Sequence, residues 1–145
     1  MSQTLTFTPG QTSKNVIVNT TNDTAYELAE TVLMSLSNPS GMTIATSIGT
    51  GTINDNDSIP ILSISGTNAT EGQTLQFTVS LTNASYQNVT VSYTTINSSA
   101  TAGSDYTTST GAVTITSGST STTINVPTTN DTIFEGNEYF TVQLT

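Results

Sequence analysis

Apolar and polar residues alternate along most of this chain. The cleanest run is Leu75-Gln-Phe-Thr-Val-Ser-Leu81, which places Leu75, Phe77, Val79 and Leu81 on one face. A period of two predicts a half-buried strand. Similar runs recur at Leu5–Thr8, Val16–Val18, Thr31–Leu36, Ser47–Ile53, Ile61–Ile64, Val89–Tyr93, Ala112–Ile115, Thr122–Val126 and Tyr139–Leu144. Turn signals such as Pro9-Gly10, Asn38-Pro-Ser-Gly41 and Ser117-Gly118 separate them. No stretch has helical periodicity. Short strands with a turn about every 8–12 residues predict an all-β chain folded as an antiparallel β-sandwich.

The pattern occurs twice. Asn22-Asp-Thr-Ala-Tyr-Glu-Leu-Ala-Glu30 returns 108 residues later as Asn130-Asp-Thr-Ile-Phe-Glu-Gly-Asn-Glu138, with no gap between Gly10/Gly118 and Leu36/Leu144. With the strands of one repeat lettered A to G, residues 59–145 supply A to F and lack G. Residues 1–58 supply D to G of the repeat before, with Asn54-Asp-Asn-Asp57 closing it and Ile59-Pro60 as the joint. The expectation is therefore a fragment of a longer tandem array, cut out of phase.

Composition narrows the function. Charged residues make up only 8% of the chain, Lys14 is the single basic residue, and the net charge is −9. Nothing in such a chain can neutralise phosphates, so a nucleic-acid partner is excluded, and docking on anionic lipid with it. The absence of Cys and His removes thiol nucleophiles, imidazole bases and zinc or iron–sulfur ligation. No apolar run reaches 18 residues, so no membrane insertion is expected. Thr is roughly a quarter of the sequence, a residue suited to the pleated surface of a strand.

The ten acidic residues sort by position. Glu71 follows strand A and Asp105 follows C. Asp131, Glu135 and Glu138 follow E, as Asp23, Glu27 and Glu30 do in the first unit, and Asp55 and Asp57 follow G. In an up-and-down count the ends of A, C, E and G share one pole, so every carboxylate gathers at one end of its sandwich. Clustered carboxylates repel unless protonated or neutralised, and one Lys cannot neutralise them. A hard cation with oxygen ligands is the natural answer. Calcium accepts six to eight oxygens from flexible loops, at roughly 2.3–2.6 Å, and Asn54, Asn56 and Asn130 stand ready as additional donors.

The run Thr101-Ala-Gly-Ser-Asp-Tyr106, a Thr-rich hairpin, and then Asn130-Asp-Thr-x-x-Glu-Gly-x-Glu138 resembles the Calx-beta domain of sodium/calcium exchangers, integrin beta-4 and large bacterial surface proteins. The resemblance spans nearly the whole chain. It implies a seven-strand immunoglobulin-like sandwich that binds Ca2+ through its loops. Carried over position by position, Glu71, Asp105, Asp131 and Glu135 match the family's ligand positions in the second unit, and Asp23, Glu27, Asp55 and Asp57 in the first. Asn22, Glu30, Asn130 and Glu138 take a supporting place around them. Neither unit holds a full set: the first lacks counterparts of Glu71 and Asp105, and the second lacks the closing Asn-Asp-Asn-Asp.

Tyr26, Tyr106 and Phe134 are expected to pack beneath the loops. Paired carboxylates can also serve a glycosidase, but this chain lacks Trp and the aromatic density of a sugar cleft, so no enzyme activity is expected. The reading that results is a calcium-rigidified spacer or adhesion repeat of a large extracellular, bacterial surface protein, whose partners are neighbouring repeats. The alternative is a regulatory calcium sensor. The missing G strand leaves an edge in the second unit. Residues 54–60 span only about 23–25 Å, too short for Ser47–Ile53 to fill that edge comfortably, so exchange of strands in a homo-oligomer is expected.

Overall fold

The computed structural model describes residues 3–145 and is all-β, with no helix among the described residues. Eight strands form among the described residues: β1 (Glu30–Ser35), β2 (Ile48–Ile53), β3 (Leu62–Ser65), β4 (Thr74–Leu81), β5 (Val89–Ile96), β6 (Thr110–Ile115), β7 (Ser121–Pro127) and β8 (Thr141–Leu144). Strands β3 to β8 occupy repeat positions A to F. They make two antiparallel three-stranded sheets, β3-β4-β7 and β6-β5-β8. This is the immunoglobulin-like sandwich.

Its core follows from the alternation in the sequence. Leu75, Phe77, Val79 and Leu81 of β4 are buried, and Ile124 and Val126 of β7 are 1% and 0% exposed. Opposite them lie Ile115 of β6 and Val142 of β8. Registers such as Phe77 opposite Ile124 and Leu75 opposite Val126 keep both strands' apolar positions on the inner face. A one-residue slip would turn all of them to solvent. Tyr106, 1% exposed, closes the core at one end, and its hydroxyl donates to Asn97 Oδ1 at 2.6 Å.

The first unit departs from expectation. Among its described residues one hairpin forms, β1 against β2, with Glu30 opposite Ile53. Leu5–Thr8 and Val16–Val18 carry no strand. The second unit shows why. There the E strand pairs with B, and the D strand pairs with C; among the described residues of the first unit no strand stands at the B or C position. The F and G positions need only each other, so they pair. Val16 and Val18 still lie over the inner face of the hairpin, lining with Val32, Met34 and Ile53 an open cleft of about 350 Å³.

The two units meet end to end. The backbone of Tyr26 forms a parallel bridge with Ser85 in the β4–β5 loop: its N–H donates to Ala84 O, and its carbonyl accepts from Tyr86 N–H, both at 3.0 Å. Asn83 Nδ2 donates to Ser58 O at 2.8 Å, tying the same loop to the linker.

Candidate metal centres

Three loops converge at one pole of the second unit: β3–β4 with Glu71, β5–β6 with Asp105, and β7–β8 with Asp131, Glu135 and Glu138. Backbone bonds stitch them. Gly72 N–H donates to Thr129 O (3.2 Å), Thr128 N–H to Gln73 O (2.9 Å), and Thr129 N–H to Asp105 O (2.9 Å). Gly72 is required there. Its φ is +78°, and a Cβ at that position would stand 2.9 Å from the Cβ of Asn130, so any side chain would push the first loop off the third.

Within this pole the carboxylate oxygens of Asp105, Glu135 and Glu138 all lie within 4.8 Å of one another. Asp105 is held in place, half-buried, by accepting the N–H of Thr101 at 2.6 Å. Asp131 caps its own turn, its Oδ1 accepting the N–H of Ile133 at 2.7 Å. Partial desolvation raises the Glu135 carboxyl above its ordinary range, and Asp105, Asp131, Glu138 and Glu71 add to the rise by repulsion. Desolvation also raises Glu138, followed by the charge of Asp105 and a hydrogen bond from the protonated Glu138 to it. All five acids of the unit thus act on one point. Asp105, Glu135 and Glu138 form its tightest group, while Glu71 and Asp131 stand around them. Glu138, given a supporting place in the sequence reading, stands in this group beside Asp105 and Glu135.

In the first unit the acids share one end but stand further apart: among the described residues only Asp105, Glu135 and Glu138 bring three carboxylates within 4.8 Å of one another. Because Glu30 pairs with Ile53, the turn before β1 and the segment after β2 lie together. Asp55 Oδ2 accepts the N–H of Glu27 at 3.1 Å, and its Oδ1 accepts the N–H of Asp57 at 3.3 Å. Asp23 Oδ1 accepts the N–H of Ala25 at 2.8 Å. Asn22, Asp23, Glu27, Glu30, Asp55 and Asp57 line, with their neighbours, a cleft of about 80 Å³. Glu27 is raised by desolvation first, and then by Asp23, Glu30, Asp55 and Asp57. The ten acids of the chain therefore fall into two groups of five. The first group lies at the joint, next to Tyr26.

The Calx-beta domain family matches residues 1–57 and again residues 55–145. The chain belongs to the Calx-beta family. A solved structure, the crystal structure of CBD12 from CALX1.2, is similar to it at 22% identity with a TM-score of 0.49, covering 86% of this chain and 50% of that one. The chain thus spans about half the length of that structure. No curated protein matches it.

In this Calx-beta chain the donor set suits a hard divalent cation: hard oxygen donors only, several on short flexible turns, with carboxyls whose repulsion a cation would relieve. Asp105, Glu135 and Glu138 would hold it in the second unit, and Asp23, Glu27, Asp55 and Asp57 in the first. The aromatic residues of the loops divide. Tyr106 packs under them as expected. Phe134 does not: it is 99% exposed, because the turn set by Asp131 carries it outward, away from the sandwich.

Proposed function

We propose that this chain is a calcium-rigidified spacer within an array of Calx-beta repeats of an extracellular surface protein, bacterial in origin, serving adhesion without catalysis. The observation that carries this reading is the sorting of all ten acids into two five-carboxylate groups, one of them at the joint between units. Unneutralised, Asp23, Glu27 and Glu30 repel Asp55 and Asp57, which lie on the segment leading into the second unit, and so loosen the joint. A bound Ca2+ reverses the sign of that interaction and locks the joint. The alternative is a regulatory sensor, in which the same change of joint geometry is transmitted to another domain. The neutral, Thr-rich strand surface and the end-to-end bridge of Tyr26 on Ser85 favour the spacer.

Thermal unfolding with calcium, with chelator, and with magnesium as control tests the proposal. An ion that binds the folded state alone raises Tm by mass action. A rise of several degrees with calcium and little with magnesium is expected. Equal melting in all three conditions would refute calcium binding by this chain.

A further inference from the structure

Glu138 meets Asp105 from another loop, and one uncharged side chain ties the two loops together. Ser99 stands in the β5–β6 loop, six residues before Asp105. Its Oγ accepts the N–H of Tyr139, the residue after Glu138, at 2.9 Å. Ala100 completes the tie: its N–H donates to Tyr139 O at 3.0 Å, and it is itself buried, so the loop is anchored at this point. The chain then runs straight into the Asp105 turn. Asp105 Oδ2 accepts the N–H of Thr101 at 2.6 Å, and Asp105 N–H donates to Thr101 O at 3.0 Å. The first unit provides the contrast. Thr31, 108 residues before Tyr139, stands instead in the β1–β2 hairpin, opposite Thr52. Its neighbour Glu30 belongs to no group of three carboxylates within 4.8 Å among the described residues.

We propose that Ser99 is a positioning residue for the cation site of the second unit: by holding the Tyr139 N–H, its hydroxyl keeps Glu138 facing Asp105. Without that acceptor the Tyr139 N–H turns to water and Glu138 is free to swing outward, away from the like charge of Asp105. The Ala100 bond to Tyr139 O survives the loss, so the site is loosened and not abolished. The inference rests on the calcium reading above and adds to it a residue that the pattern of acids does not mark.

The test is a calcium titration of the 145-residue chain, followed by the amide NMR signals of Thr101 and Asp105, which report on the second unit. Ser99→Ala is expected to weaken binding about fivefold, the scale of one hydrogen bond. Ser99 is exposed, so its replacement leaves the core intact. Ser99→Thr is expected to bind like the parent, and Ser99→Val, which has the shape of threonine without its hydroxyl, like Ser99→Ala. In a Glu138→Gln background Ser99→Ala is expected to cost nothing further, because residues that act through one another are not additive. Parent-like binding by Ser99→Ala, an equal loss with and without Glu138, or threonine no better than valine overturns the proposal. Should the parent bind no calcium, the calcium reading fails and the positioning role is decided in chelator. There Glu138→Gln is expected to raise the Tm of the parent by about one or two degrees and to leave that of Ser99→Ala unchanged. An equal gain in both, or no gain in the parent, overturns the role of Ser99.

Discussion

The Tyr106 ring lies flat against Phe140, with centroids 4.0 Å apart and planes inclined by 15°. The contact joins the residue after Asp105 to the start of β8, just beyond Glu138, so one stacked pair supports two of the three clustered acids from below. Tyr106→Phe keeps the stack and loses the bond to Asn97. A cost of about 1 kcal/mol is expected, with calcium response preserved. Tyr106→Ala is expected to cost roughly 3–5 kcal/mol and to weaken that response. Urea unfolding with and without calcium checks both.

Glu138→Gln should have opposite effects with and without the ion. In chelator it removes one of the charges that repel one another around Asp105 and Glu135, and Tm is expected to rise by one or two degrees, on the order of the modest gains that surface charge changes bring. In saturating calcium it removes an anionic donor, and Tm is expected to fall below the parent's. Scanning calorimetry in the two buffers provides the check. A change of the same sign in both would remove Glu138 from the site.

The raised carboxyls of Glu27, Glu135 and Glu138 set the sign of the pH dependence. A group whose folded pKa lies above its unfolded value binds more protons when folded, so stability falls as pH rises through the folded value. Its contribution is fully present below the ordinary value of 4.5 and is lost as pH rises through the raised values. In chelator the chain is therefore expected to melt higher near pH 5 than at pH 7. With calcium the trend should reverse, since the ion needs the carboxylates ionised. Melting curves at both pH values, with and without the ion, give four numbers that must show this crossing.

Among the described residues β8 ends the order β6-β5-β8, and no strand pairs with its outer edge. Free edges recruit strands. The chain is expected to self-associate at high concentration through this edge, with Phe134→Ser leaving the association intact. Sedimentation velocity across a hundredfold concentration range measures it; a single monomeric species throughout would refute it.

Much of this architecture is legible in the residues. The alternation from Leu75 to Leu81 becomes β4 with its four apolar positions inward, and the repeated acids mark the loops at one pole. What the sequence conceals depends on partners. Val16–Val18 alternates as well as many true strands do, yet a strand exists only by bonding to another, and among the described residues none pairs with it. The proximity of Glu138 to Asp105 is similarly hidden, because Asp105 lies 33 residues earlier and outside the turn in which Glu138 sits. Phe134, read on its chemistry alone, packs inward; in the structure it is exposed. Its homology with Tyr26 was the available signal, readable only once Tyr26 is seen at a joint.

The end-to-end seating of Tyr26 on Ser85 also bears on distance. An array of repeats joined rigidly in this way lengthens in proportion to the number of repeats. If the same joints swing freely, the mean span grows only as the square root of that number. The difference grows with each added repeat, so a small change at one joint becomes a large change in how far the tip stands from its base. On the proposed reading, a few carboxylates at each junction would let the ion content of the surroundings set the reach of the array.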